Sequence, residues 1–529
     1  MKSLIEEKVV CPHCWNNFYA EHASYITQHT ELYGDPVLGE NAFRRFSYLE
    51  IQRDRSGKVL DPKGEPMLER ACPRCHLQIP SALLVGRPKF ISIVGAPSSG
   101  KTYFLTVMLH QLREELSKFF KHTFEVCDYH EKSLFSKYAQ ILFSPDDPHK
   151  ASLLEKTARE GELYNTIQLN GAKVVLPKPF IFAVRPTVGH GPTSTPQTTS
   201  IVYYDNSGES FNFRSDDDGT KRYTQHLGES DAVLFTYDFL LNPTARQRLQ
   251  LISQDPQVSG ILKTARQEDI LTEAIQRIRR YRRLNDGQLI DSSLIVCVQK
   301  YDVWKSLLHY LPKVDANLDR IDHSSIEYFR EHGVAGLDVQ EMNAISLLVR
   351  KLLSDYSHGF VTSAEAHFSR VRYFPVSALG ASPKLEGEFL KIQPDQIRPF
   401  RVTHPMLWML HEWKVIRRTK KMATKPKELP SAEIKVVSAD RIQVSSPYRT
   451  TPFIVDFEYA GSRVFDPEMG QPFWIPNLSL GGPAKVSPTN SATKSGQSST
   501  PPPVDLSGHK LATKPSKKVQ KPWWSKWFS

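Results

Sequence analysis

The octapeptide "GAPSSGKT", residues 95–102, stands between the apolar run "KFISIV" and the helix-patterned "YFLTVMLHQL". The pattern G-x-x-x-x-G-K-[ST] is complete in Gly95, Gly100, Lys101 and Thr102. Glycines at its two ends let the backbone turn so that successive N–H groups, those of Ser98 and Ser99 included, converge on phosphate oxygens. A helix beginning near Lys101 adds the positive end of its dipole. Lys101 is then placed for β- and γ-phosphates and the Thr102 hydroxyl for Mg²⁺. The loop reads as the phosphate site of a nucleoside triphosphate. A Ser/Gly turn joining a strand to a helix is the plain alternative, and the flanking pattern argues against it.

From about residue 87 to 416, short β-branched or aromatic runs alternate with longer helical patterns. The strand candidates are "KFISIV", "FIFAV", "SIVYYD", "AVLFTYD", "SLIVCVQ" and "RYFPV". One helical stripe carries Ile270, Ala274, Ile275, Ile278 and Tyr281, and another carries Val339, Met342, Ile345, Leu348 and Leu352. "THPMLWMLHEWKVI", with Pro405 near its start, reads as a closing amphipathic helix. Strands alternating with helices predict an α/β domain with a mainly parallel sheet and helices on both faces.

Four further stretches fall in the order found in TRAFAC-class GTPases, the group that includes the Ras-like proteins. "IVYYDNSGE" resembles their D-x-x-G, and the resemblance implies that Asp205 holds Mg²⁺ through water and Gly208 senses the γ-phosphate. "LIVCVQKYD" resembles their [NT]-K-x-D, which implies the Lys300 stem along the base and Asp302 on the guanine N1 and N2 hydrogens. "FPVSALG" resembles their S-A-[KL] loop, with Ser377 and with the Ala378 N–H facing the guanine oxygen, and "DAVLFTYD" fits the strand between them. The resemblance spans about residues 87–416 and implies a Ras-like P-loop NTPase core, a mixed sheet with insertions, cycling between GTP and GDP with Mg²⁺. More narrowly, the chain resembles bacterial TRAFAC-class proteins of the zinc-ribbon-bearing, double-GTPase type.

Two departures bear on the chemistry. Gln299 stands where Asn or Thr usually braces the phosphate loop. Glu209 takes the place of the Gln that orients the attacking water; a carboxylate can position that water but also repels the γ-phosphate. The resemblance therefore implies Lys101 and Glu209 as catalytic residues of a slow GTPase, about 10³–10⁵-fold below the rate that a supplied arginine gives. Arg185, Arg214 and Arg222 are candidates for such an arginine, though each also reads as a surface residue. Thr157 and Thr166 are the candidates for a switch threonine.

"CPHC" (Cys11, Cys14) and "CPRCH" (Cys72, Cys75, His76) offer two thiolate pairs at the turn spacing tetrahedral Zn²⁺ requires, predicting a structural zinc ribbon around an inserted hairpin or loop. His13 and His76 read as bystanders, with a Cys₃His set left open. Cys127 and Cys297 lie in apolar contexts and read as core.

The formal charge of +11 first suggests a nucleic-acid partner. Yet residues 481–529 and 414–427 each carry +7, leaving the rest at −3. Without a basic folded face, nucleic acid is disfavoured and protein partners are expected. The N-terminus lacks a signal-peptide core and no apolar run spans a bilayer, so a cytoplasmic chain is expected. The expected layout is a zinc ribbon (1–86), a GTPase domain (87–416), a basic linker with a β-leaning extension (417–480) and a disordered tail (481–529). That tail ends in "KPWWSKWFS", an aromatic–basic cluster that fits a partner pocket or, by peripheral contact, a membrane surface. The function expected is a GTP-dependent switch acting on protein partners. An ATP-dependent motor and a non-hydrolysing nucleotide-bound scaffold are the alternatives.

Overall fold

The computed structural model describes residues 8–127, 129–145, 147, 149, 154, 164–169, 171–187, 198–205, 224–259, 266–310, 326–329, 334–386, 389–416, 430–437, 441–456, 463–465 and 472–476. The tail at 481–529 lies outside them.

Seven strands form the central sheet: β1 (Lys89–Gly95), β2 (His122–Val126), β3 (Phe180–Pro186), β4 (Thr199–Asp205), β5 (Ala232–Asp238), β6 (Ile290–Gln299) and β7 (Phe368–Pro375). Their spatial order is 2-3-4-1-5-6-7. Strands β4, β1, β5, β6 and β7 run parallel, while β3 is antiparallel to both β2 and β4. The sheet is therefore mixed, with a parallel block of five. Successive residues alternate between its faces because strand side chains have a period of two. Val233, Phe235 and Tyr237 join one core cluster, and Ala232 and Leu234 join the other.

Helices cover both faces. Helix α1 (Lys101–Phe120) starts after Gly100 at φ 85° and stops at Lys121, whose left-handed φ of 56° ends the helical run. Helix α2 (Gln267–Arg282) buries Ile270, Ala274, Ile275 and Ile278. Helix α3 (Val339–Tyr356) is capped by the Asp338 carboxylate, which accepts from the Glu341 N–H, and buries Met342, Ile345, Leu348 and Leu352. Helix α4 (His358–His367) packs beside it. Helix α5 (His404–Glu412) carries Pro405 in its first turn. Helices α1 and α5 contribute to one cluster, and α2, α3 and α4 mainly to the other. No helix among the described residues is long and apolar enough to cross a membrane.

Ahead of the sheet, two antiparallel hairpins bracket the cysteine pairs: Lys8–Val10 with Asn17–Tyr19, and Glu69–Ala71 with Gln78–Ile79. The segment between them contains two more hairpins, Tyr33–Asp35 with Gly39–Phe43 and Gln52–Arg53 with Val59–Leu60. This N-terminal unit shares a core with the sheet, because Cys11, Trp15, Phe18, Cys72 and Ile79 pack with Phe90, Ile181, Val202 and Tyr204. A hairpin, Tyr164–Leu169 with Ala172–Pro177, closes the same cluster through Ile167, Val174 and Leu176. Beyond the sheet, Glu433–Val436, Arg441–Ser445 and Phe453–Asp456 form a three-stranded sheet, and Arg463–Phe465 pairs with Pro472–Trp474.

Candidate functional site

The loop after β1 makes a tight turn at the centre of the sheet, where the chain order reverses between β4 on one side and β5 on the other. A crevice at the carboxyl ends of strands at such a switch point is where open α/β sheets hold ligands. Gly95 is obligatory: a Cβ there would lie 2.0 Å from Thr236 Oγ1 and 2.8 Å from the Thr236 carbonyl. Ser98 and Gly100 both adopt left-handed φ values, 64° and 85°, which turns consecutive N–H groups inward. The Ser99 hydroxyl contacts Thr236 Oγ1 at 2.8 Å and ties the loop to β5.

Lys101 is 8% exposed and folds its ammonium back on the loop, donating to the carbonyls of Gly95 (3.1 Å) and Ala96 (2.8 Å). Thr102 Oγ1 donates to Asp205 Oδ2 at 3.3 Å. The carboxylate at the end of β4 and the hydroxyl at the start of α1 thus share one spot, as a bound divalent cation would need. Burial pulls the Lys101 ammonium down to about 8, against the pull of Asp205 in the other direction.

An anionic ligand needs that ammonium charged. Its affinity should therefore fall as pH rises through about 8, by up to about tenfold per unit, whereas an exposed lysine would hold its charge to about pH 10. Calorimetric titration with a nucleoside triphosphate between about pH 7.5 and 9.5 checks this, and a flat profile contradicts the role of Lys101. The sign for stability is opposite. Over the same window the unfolded chain binds more protons than the folded one, so the ligand-free fold gains stability with rising pH.

Two strands away, Lys300 follows β6 in a left-handed conformation (φ 61°) and donates to Asp238 Oδ2 at 2.7 Å. Asp238, at the end of β5, is held by Gln267 through both backbone groups. Ser377 Oγ donates to Asp302 Oδ1 and accepts from the Gly380 N–H. Burial pushes the Asp302 carboxyl above the ordinary carboxylate range. Ala378 is buried beside them, and the loop is pinned where Ser377 and Phe400 exchange backbone hydrogen bonds. Gly380 has φ 66°, and a Cβ there would meet the Arg398 carbonyl at 1.6 Å. Gln299 is buried, its carbonyl accepts from Trp304 Nε1, and its Nε2 has no hydrogen-bond partner among the described residues.

The structure thus gathers Gly95, Ser98, Ser99, Gly100, Lys101, Thr102, Asp205, Lys300, Asp302, Ser377 and Ala378 at the carboxyl ends of the parallel strands. Gly208, Glu209, Thr157, Arg214 and Arg222 lie outside the described residues. Thr166 sits exposed in the Tyr164–Leu169 strand, whose hairpin packs on the N-terminal unit. Arg185 is half-exposed on β3 and pairs with Glu125 at 3.8 Å. Residue patterns alone do not reveal Thr236, Asp238, Gly380 and Arg398. They act through tertiary contact; only Asp238, an acid ending an apolar strand, leaves a signal in "AVLFTYD".

The four cysteines form a second centre. Cys11, Cys14, Cys72 and Cys75 are all buried, and their sulfurs lie within 4.8 Å of one another. Cys11 and Cys75 are 3.7 Å apart, Cys14 and Cys72 3.6 Å. A disulfide needs about 2.05 Å, whereas a tetrahedron with Zn–S near 2.3 Å has edges of about 3.8 Å. The backbone N–H groups of His13 and Arg74 point at Cys11 Sγ and Cys72 Sγ, both at 3.4 Å. Burial holds the Cys11 thiol well above the ordinary range, while hydrogen bonds from Cys11 and then Cys14 pull Cys72 down; a divalent cation lets all four ionise. These cysteines could hold zinc. Both histidines are engaged elsewhere, His13 Nε2 on the Gln78 carbonyl at 3.0 Å and His76 Nδ1 on Asp35 at 2.8 Å, which leaves the ligand set as four thiolates. Cys297 is fully buried in β6, but Cys127 is only half-buried and packs at the margin of the N-terminal cluster.

No protein-family model matches the chain, and no curated protein does either. Several solved structures do. Sup35 complexed with GDP is 10% identical over 56% of this chain and 38% of that one, with a TM-score of 0.20. The S. cerevisiae Ski7 GTPase-like domain bound to GTP is 14% identical over 71% and 60%, with a TM-score of 0.25. A protein from Thermus thermophilus is 11% identical over 61% and 40%, with a TM-score of 0.21. The chain spans 38% to 60% of the lengths of these structures, and likeness at this level says nothing of its activity.

Proposed function

We propose that this chain is a guanine-nucleotide-binding switch that hydrolyses GTP slowly with Mg²⁺. The observation that carries the reading is a run of side-chain hydrogen bonds joining five strand ends. Thr102 meets Asp205 of β4, Ser99 meets Thr236 of β5, Lys300 meets Asp238 of β5, and Asp302 meets Ser377 after β7. Residues up to about 280 positions apart in sequence thereby line one edge of one sheet.

In this reading the loop N–H groups and Lys101 hold the phosphates, and Thr102 and Asp205 hold Mg²⁺, which when bound neutralises charge on the phosphates. Lys300 and Asp302 take the base, with Ser377 fixing the Asp302 carboxylate and the Ala378 N–H facing the guanine oxygen. Hydrolysis would act through Glu209 and stay slow unless a partner supplies an arginine. The N-terminal unit is then a zinc ribbon. The ribbon and the tryptophan-rich tail are the surfaces on which protein partners would read the nucleotide state.

Calorimetry with Mg²⁺·GTP and Mg²⁺·ATP tests the reading, which expects heat from GTP and a clear preference over ATP. Asp302→Asn should reduce that preference by at least about tenfold, since it removes a charge-assisted acceptor. Unchanged discrimination would mean that another residue reads the base. An ATP-using motor is the second reading, because Gln299 stands in place of the Asn or Thr of the guanine-reading motif, and tighter binding of ATP than of GTP would support it. No heat from either nucleotide at millimolar concentration sinks both.

A further inference from the structure

The cysteine knuckle and the end of β4 are directly bonded. Tyr204, 1% exposed, accepts a hydrogen bond at 3.2 Å from Trp15 Nε1 and donates its own hydroxyl proton to the Pro12 carbonyl. Both partners belong to the turn Cys11–Pro12–His13–Cys14–Trp15, which contributes Cys11 and Cys14 to the four-sulfur cluster. Trp15 holds a left-handed φ of 55°, and its N–H bonds the Cys11 carbonyl at 3.1 Å. A bulky side chain keeps that backbone only where its surroundings over-determine it.

The Tyr204 ring is clamped as well. It stacks on His226 with centroids 4.4 Å apart, and His226 Nδ1 contacts the Ser92 hydroxyl on β1. The next residue in the strand is Asp205, whose carboxylate meets Thr102. In β4 the side chains of Tyr204 and Asp205 face opposite ways, so the strand end is pinned by the knuckle on one side and by the phosphate-loop helix on the other.

We propose that Tyr204 is a positioning residue: through it, the metal-bound knuckle sets where Asp205 stands, and the thiolate metal and the Mg²⁺–nucleotide site are energetically coupled. The coupling rests on the nucleotide-binding reading given above. Coupling between two sites is reciprocal, so it can be read at the cysteines without any activity assay.

The experiment uses the full zinc-loaded chain. Zinc partition at equilibrium between the protein and a competing chromogenic chelator is measured with and without a non-hydrolysable GTP analogue and Mg²⁺, and analogue binding is measured separately on the same samples. Wild-type protein should hold zinc at least about fivefold more tightly with analogue and Mg²⁺ present, the lower end of ordinary allosteric couplings. Analogue without Mg²⁺ should protect less, because the path runs through Asp205. Tyr204→Phe keeps the stacked ring and removes both hydrogen bonds. It should still bind the analogue but show less than about twofold protection.

Should Tyr204→Phe fail to fold, Trp15→Phe removes the indole N–H together with part of the ring, leaves the Tyr204–Pro12 bond in place, and should give intermediate protection. Wild-type protein that binds the analogue with no change in zinc affinity overturns the coupling and leaves the switch reading standing. Full protection in a folded Tyr204→Phe, or in Trp15→Phe, overturns the role of this contact. A wild-type chain that binds no analogue overturns the switch reading, and the coupling with it.

Discussion

If the four cysteines hold zinc as proposed, chelating it or replacing Cys72 by serine should cost about 5 kcal/mol or more of stability in residues 8–85. Structural zinc contributes about 10–16 kcal/mol of apparent folding free energy in small domains, and here part of that loss is offset by packing on the sheet. The N-terminal strands are two to five residues long, and the four cysteines themselves sit in the core of the unit. Units of this size rarely hold together without staples. Metal analysis should find one zinc per chain. Chelation should release a separate low-temperature transition in a thermal scan, with hydrogen exchange appearing first around Cys11–Phe18 and Glu69–Ile79. An unchanged melt and metal content in Cys72→Ser would remove zinc from this account.

Lys101→Ala should weaken nucleoside triphosphate binding by about 100-fold or more, as expected for losing charge-assisted bonds to phosphate. The ligand-free fold should respond the other way. Lys101 is almost fully buried and its ammonium donates to two loop carbonyls; burial already pulls it down to about 8 despite the opposing pull of Asp205. Removing a buried charge held against its own preference should leave the melting temperature unchanged or raise it, the usual opposition between stability and function at a site. Titration and a melt on the same variant check both halves. Tight binding by Lys101→Ala, or a large loss of stability without ligand, would contradict the assignment.

Every strand expected from apolar runs of four or more residues stands in the central sheet, and both helical stripes are buried except at their half-buried ends, Tyr281 and Val339. Such runs carry their own periodicity, which is why they are legible locally. Strand β2 carries no such signal: "HTFEV" follows α1 directly, is edge-paired only to β3, and has no flanking punctuation. The Tyr164–Pro177 hairpin is silent for a similar reason, since its apolar residues matter only against the N-terminal unit. The antiparallel side of the sheet comes from β3, which runs against both β2 and β4; a local apolar run marks a strand but not its direction, so the sequence suggests more parallel character than exists.

Local sequence determined the chemistry available here: the glycine-bounded loop, the lysine and threonine after it, and two pairs of thiols at ligand spacing. Those are short-range patterns, fixed by backbone sterics and ligand geometry within a few residues. Tertiary structure alone decided that Thr236 limits position 95 to glycine and that Asp238 receives Lys300. It also decided that thiols 58 and 64 positions apart share one buried point, and that Tyr204 ties the cysteine knuckle to the strand carrying Asp205. Contacts between distant segments depend on strand order and register, which no local pattern encodes.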